Sequence, residues 1–171
     1  MEYAELIKQR YSVRSFKSDP IDETLIHRII EAGNLAPTAM NNQPYRIYVL
    51  KSEESLQKVD QLTSCRYNAP VVLMFVYDEY EQWKNHLESG VVSGVEDVAI
   101  VATHVMLAAK DLGIDTCWVN YFSNKAVEEA FDLPSNEHVV LLLDLGYRED
   151  AAAPSPRHDA KRPYEELVKE L

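Results

Sequence analysis

Glycine is scarce in this chain, five in 171 residues. Gly33, Gly90, Gly94, Gly113 and Gly146 never fall into the G-x-G-x-x-G spacing that lets backbone approach a dinucleotide pyrophosphate, and no P-loop is present. A phosphate bound here must therefore be held by side chains. Cysteine is scarcer still. Cys65 and Cys117 lack C-x-x-C spacing, which excludes a disulfide framework or a zinc ribbon. The five histidines, at 27, 86, 104, 138 and 158, show no ligand spacing, and no H-E-x-x-H or G-x-S-x-G motif occurs. The longest clean apolar run is Val71–Val76, far short of the ~20 residues that cross a bilayer. Met1-Glu2-Tyr3-Ala4-Glu5 carries acids and no apolar core, so no secretory signal is expected and the expected setting is cytoplasmic.

Acid dominates what is there. The formal net charge is −11, which repels a polyanion and argues against nucleic acid as a partner. The basic residues are nevertheless concentrated at the two ends. Lys8, Arg10, Arg14 and Lys17 face only Glu2 and Glu5 within residues 1–17, and Arg157, Lys161 and Arg162 face only Asp159 within 154–163. These read either as two solvated basic segments or, if folding joins them, as one pocket for a small anion.

Length and ordinary composition indicate one domain over 1–171 with a real core. Asp22 can cap a helix whose Leu25, Ile26, Ile29 and Ile30 form one stripe, with Gly33 as its stop. Tyr45, Ile47 and Val49 alternate as in a half-buried strand, Ser52 opens a helix through Leu62, and β-branched Val71–Val76 reads as a buried central strand. Residues 95–112 have the length and apolar width of a buried helix. Thr116–Phe122 and Val139–Leu145 read as strands. A helix capped by Ser123 and ending at Phe131 lies between them, and Pro163 opens a closing helix to Leu171. Strands interleaved with helices indicate a sheet covered on both faces.

Arg10-Tyr11-Ser12-Val13-Arg14 follows the first helical segment. Extended, it sets two guanidiniums and a hydroxyl on one side, a donor set suited to a phosphate dianion. Some 25 residues later comes Ala36-Pro37-Thr38-Ala39-Met40-Asn41-Asn42-Gln43-Pro44-Tyr45, rich in amides and turn formers. Together with the Ala-rich helix around Leu107–Leu112, Leu145-Gly146-Tyr147 and the late Lys161-Arg162-Pro163, the pair resembles the FMN-dependent nitroreductase family, collinear over nearly the whole chain.

The resemblance implies an α+β, three-layer α/β/α fold with a mixed, largely antiparallel central sheet, and a homodimer. It implies FMN as cofactor and NADH or NADPH as co-substrate. Hydride would pass through flavin N5 to nitroaromatic, quinone or flavin-type acceptors in a ping-pong cycle. Residue by residue, it places Arg10, Tyr11 and Ser12 at the phosphate, with Lys161 or Arg162 as the late phosphate contact. It makes Arg14 the cation that tunes the flavin. It assigns Pro37, Thr38, Ala39, Asn41 and Gln43 to a loop that serves the flavin of the opposite subunit, and Asn120 and Tyr121 to the N5 edge. No side chain is singled out as a chemical catalyst, and no metal is expected. Residues 78–94, with Trp83, replace regions that elsewhere cover the substrate. A non-catalytic FMN-binding protein, and an enzyme for another phosphorylated metabolite, are the alternatives. Cys117 is expected to be inert core, since free cysteine is among the most buried residue types.

Overall fold

The computed structural model describes residues 1–171. Six helices, α1 (Tyr3–Gln9), α2 (Glu23–Gly33), α3 (Glu53–Leu62), α4 (Gly94–Asp111), α5 (Asn124–Ala130) and α6 (Tyr164–Leu167), accompany four strands, β1 (Tyr45–Leu50), β2 (Val71–Asp78), β3 (Asp115–Val119) and β4 (Glu137–Gly146). The strands make one antiparallel sheet in the order β1-β2-β4-β3. The expected mixed character enters at the β3 edge, where Ser12 forms a parallel bridge to Thr116.

Period-2 alternation sends each central strand into two cores. Leu73 and Phe75 of β2 and Leu141 and Leu143 of β4 pack against α2 and α4, with Ile29, Val101 and Val105. Val72 and Met74, with Leu142, Cys117 and Val119, face the other way, toward Val59 of α3 and Val127 of α5. This gives helix, sheet, helix. Gly113 ends α4 at φ +82, a backbone position that glycine enters without a steric penalty. Asp22, Ser52 and Ser123 cap their helices as expected, each accepting a backbone N–H. No helix is long and apolar enough to cross a membrane.

Two expectations are corrected. The β3 strand stops at Val119 rather than Phe122, because Asn120 and Tyr121 turn outward and are exposed. The closing helix spans only Tyr164–Leu167, with Pro163 as its cap and Val168 already extended. Every residue from 161 to 171 is exposed, so the tail has no packed apolar face to sustain a longer helix.

Candidate active site

The Arg10–Arg14 segment is extended, as the phosphate reading requires. Arg10 closes α1 at φ −71, ψ 127, and the Val13 N–H donates to the Thr116 carbonyl at 3.0 Å. Ser15 and Lys17 then pair with the chain beyond β4, through Glu149 N–H to Ser15 O (3.0 Å) and Lys17 N–H to Tyr147 O (2.8 Å). Val13 therefore points into the core, fully buried, while Arg10, Ser12 and Arg14 share the other side.

The chain's two basic ends do meet. A cleft of about 490 Å³ is lined by Tyr11, Ser12 and Arg14 from the first and by Ser155, Arg157 and His158 from the second. Tyr11 fastens them: its hydroxyl donates to the Ala152 carbonyl at 3.1 Å, and its ring meets the His158 ring edge-on at 6.2 Å. The donors are uncommitted. Arg46, Arg66, Arg148 and Arg162 each hold a carboxylate within 4.0 Å, whereas Arg10, Arg14 and Arg157 hold none. Arg14 reaches only the Ser12 carbonyl, at 3.3 Å. Such a set fits a phosphate dianion.

The C-terminal residues that line the cleft are not the expected pair. Lys161 and Arg162 lie outside this cleft; Lys161 Nζ donates to the His158 carbonyl at 2.7 Å, and Arg162 pairs with Glu166 at 3.0 Å. Arg157 and His158 line the cleft instead. The sequence signal for them was the local excess of base over 154–163, which marked the segment and not the individual residues.

Asn120 and Tyr121 end the same β3 edge. Four residues of strand at roughly 3.3 Å each put Asn120 about 13 Å from Thr116, the partner of Ser12. With Phe122 they line a cleft of about 440 Å³ whose other wall is Asp60–Ser64. Thr63 Oγ1 holds the turn by donating to the Tyr121 carbonyl at 2.7 Å, and Asn120 Nδ2 donates to the Val140 carbonyl at 2.8 Å. The backbone N–H groups of Asn120 and Tyr121 donate to no backbone acceptor of the chain. Between the two clefts lie Cys65 and Tyr67. The Tyr67 hydroxyl is the main influence lowering the Cys65 thiol, and the nearby Arg14 charge acts in the same direction.

Beneath this edge Asp144 sits across the sheet from Cys117 and is 1% exposed, with Oδ2 lacking any partner. Burial pushes its pKa to about 9, against the opposing pull of Arg66. Burial thus favours the neutral carboxyl at Asp144. Burial likewise pushes the Cys117 thiol up to about 12, in keeping with inert core.

The Pro37–Gln43 loop lies elsewhere. It leads into β1, on the opposite sheet edge, three strand spacings or about 14 Å across from β3. Met40, Asn41 and Gln43 all have positive φ, at 53, 58 and 52. Such backbone costs about 1–3 kcal/mol per residue and persists only where surroundings enforce it. The enforcing contacts are internal. Ala39 N–H donates to Asp97 Oδ1 (2.8 Å), Gln43 N–H to Thr38 Oγ1 (3.1 Å) and Gln43 Nε2 to the Asn41 carbonyl (3.1 Å). Pro37, Asn41 and Gln43 face outward, and Met40 is 80% exposed. Within one chain, then, Tyr11, Ser12 and Arg14 come together with the C-terminal base, Asn120 and Tyr121 lie along the same edge, and the 37–43 loop stands apart.

Comparison with known proteins places this arrangement in a family. The nitroreductase family model matches residues 7–67 and 66–147, and the chain belongs to that family. A nitroreductase family protein from Clostridium difficile 630 has a crystal structure that superposes at TM-score 0.92, with 29% identity over 99% of this chain and 98% of that one. A structure from Exiguobacterium sibiricum 255-15, solved in complex with FMN, shares the fold at TM-score 0.84 and 21% identity, covering 100% of this chain and 98% of its own. Among relatives by sequence, an Archaeoglobus fulgidus protein provisionally named NADH dehydrogenase/NAD(P)H nitroreductase is 27% identical over 162 residues, 87% of each chain. An NADPH-dependent oxidoreductase from Staphylococcus saprophyticus is 27% identical across 89% of this chain and 67% of its own length.

Proposed function

We propose that the chain is one FMN-binding domain of a cytoplasmic NAD(P)H oxidoreductase that works as a homodimer. The observation that carries this reading is the line of uncommitted donors along the β3 edge. Ser12, Arg14 and Arg157 cluster at one end, with Arg10 two residues before Ser12 in the extended segment, and free backbone N–H groups of Asn120 and Tyr121 sit about 13 Å away at the other. That spacing suits an elongated cofactor with a dianion at one end and a hydrogen-bonding ring at the other. A terminal phosphate favours FMN over FAD, since no second nucleotide motif exists for an adenylate half.

When bound, FMN supplies the redox chemistry, accepting hydride from NADH or NADPH and delivering it to a nitroaromatic, quinone or free flavin in a ping-pong cycle. The chain's residues bind, orient and tune. Arg10 and Arg157 would neutralise the phosphate, and the Ser12 hydroxyl would donate a hydrogen bond to it. Arg14, which lines the phosphate cleft and whose charge is also felt at Cys65 beside the second cleft, would supply a fixed positive charge on the ring side of the phosphate, where it would favour the reduced flavin. The outward-facing Asn41 and Gln43 of one copy serve the site of a second copy, because the loop does not reach its own chain's donors.

The test is an absorbance spectrum of the purified protein, release of the chromophore, and anaerobic titration with NADH and NADPH. Yellow protein releasing FMN and bleached by either nucleotide supports the reading. A chromophore that is FAD, or colourless protein unchanged by added FMN, overturns it.

A further inference from the structure

The residue that gives the 37–43 loop its shape lies outside the loop. Asp97, in the first turn of α4, is 2% exposed, and both its carboxyl oxygens accept hydrogen bonds. Oδ1 takes the Ala39 N–H at 2.8 Å and Oδ2 takes the Ser93 hydroxyl at 2.6 Å. The same Ser93 oxygen accepts the Trp83 N–H at 3.1 Å, and the Ser93 N–H donates back to the Trp83 carbonyl at 3.1 Å. A second tie runs in parallel. Asn42 Nδ2 donates to the Glu81 carbonyl at 3.0 Å, while both Glu81 carboxylate oxygens accept from Arg46 of β1 at 2.9 Å. Gly94 closes the joint. Its N–H donates to Gln82 Oε1 at 3.2 Å, and a Cβ there would lie 2.4 Å from the Tyr77 ring.

From this network we infer that Asp97 is a positioning residue, which locks the left-handed 37–43 loop to the 78–94 segment so that the two act as one wall of the flavin site. The inference rests on the reading of that loop as flavin-serving. It goes beyond it by naming the group that sets loop geometry and by joining the loop to Trp83, the aromatic of the covering segment. A buried carboxyl between two backbone segments suits this role, because leaving either N–H or O–H unpaired in a buried site is unfavourable and the loop backbone is otherwise strained. Asn41 and Gln43 would present their amides only while Ala39 is held.

Full-length Asp97→Ala, Asp97→Asn, Ser93→Ala and Asn41→Ala can be compared with wild type for FMN Kd, for visible circular dichroism of the bound flavin and for proteolysis within residues 83–92. Asp97→Ala is expected to weaken FMN by about tenfold or more and to change the flavin dichroism. Asp97→Asn should restore both to within about threefold, since its amide can still accept from Ala39 and donate to Ser93 Oγ. Ser93→Ala should open the 83–92 segment to protease with a smaller, about threefold, loss of FMN affinity. If Asp97→Ala does not fold, Ser93→Ala decides: wild-type proteolysis and Kd in that variant overturn the inference. So does an Asp97→Ala protein with lower thermal stability but unchanged Kd and dichroism, provided Asn41→Ala weakens FMN. If Asn41→Ala also binds FMN normally, the reading of the loop itself has failed, and the inference falls with it.

Discussion

The two halves of the proposed site are built by opposite means. On the β3 edge an extended segment with ordinary dihedrals displays charged side chains that hold no carboxylate of the chain. On the β1 edge the loop carries no charge from Pro37 to Gln43, and what distinguishes it is backbone held in a left-handed conformation by a buried carboxyl. The first region recognises by charge and tolerates shape change. The second recognises by shape and depends on groups distant in sequence. A substitution in the first should therefore alter affinity and leave folding alone, while one in the second should act through geometry.

The hardest way to break the contrast is to remove what both halves share. Phe75 of β2 is fully buried in the core between the sheet and α2/α4, and Phe75→Ala should cost about 3–5 kcal/mol in denaturant unfolding and abolish flavin binding at both regions together. Loss of binding with unchanged stability would mean the sheet is not their common support. Next comes assembly. If the halves meet only between two copies, FMN at about 100-fold over its Kd should stabilise the assembled form by about 2.7 kcal/mol, and dilution should yield monomer from apoprotein first. Sedimentation with and without FMN checks this, and a monomer with full FMN occupancy would show that one chain makes the whole site.

Charge sharpens the first half. Arg10→Ala and Arg157→Ala should each weaken FMN about 10- to 150-fold without altering the unfolding midpoint, and Arg162→Ala should stay within about twofold, because its guanidinium is already paired with Glu166. Equal losses from Arg157→Ala and Arg162→Ala would show that the tail rearranges when the cofactor binds. Asp144 tests what lies beneath. Its folded pKa is raised to about 9 from an ordinary value near 3.9, so between those limits the native state holds a proton that the unfolded state has lost. Stability should therefore fall as pH rises through that window, by about 1.4 kcal/mol per pH unit from this group alone. Asp144→Asn should flatten that slope and be more stable than wild type at pH 8, the difference shrinking toward pH 4. A parallel pair of curves would place the ionisation elsewhere. The smallest effect is a control: Ser52→Ala removes the cap of α3 and should cost about 1 kcal/mol while leaving FMN affinity untouched.

How far these regions could be read from residues follows the same division. Helices and strands with strong periodicity, such as Val71–Val76 and the 95–112 stripe, stand where the pattern puts them, because burial on a sheet face or helix stripe is encoded every two or about 3.6 residues. The strand reading of Thr116–Phe122 runs past the observed end because Tyr121 and Phe122 favour strand; β4 continues beyond Leu142, the partner of Val119, but the chain turns outward at Asn120, whose side-chain amide donates to the Val140 carbonyl of β4. The closing helix is shorter than Pro163 as a helix start suggests, because nothing packs against the residues that follow it. Arg10, Ser12 and Arg14 could be seen to share a side once the segment was extended, which local spacing carries. Arg157 and Asp97 could not be singled out, since their roles depend on Tyr11 holding Ala152 and on Asp97 meeting Ala39 across 58 positions.

The bridge between Ser12 and Thr116 has one more consequence. β3 is the last strand of the sheet, and Ser12 and Val13 cover the start of its open side, anchored by the residues after them, which pair with Tyr67 and with the chain beyond β4. An uncovered strand edge is a template for pairing with another chain and hence for aggregation. The residues proposed to grip the phosphate are thus also the shield of that edge. Flavin binding and protection from edge-to-edge association rest on one short stretch of backbone, held in place by the Val13, Ser15, Phe16 and Lys17 backbone bonds, the buried Val13 and Phe16 side chains and the Tyr11 hydroxyl.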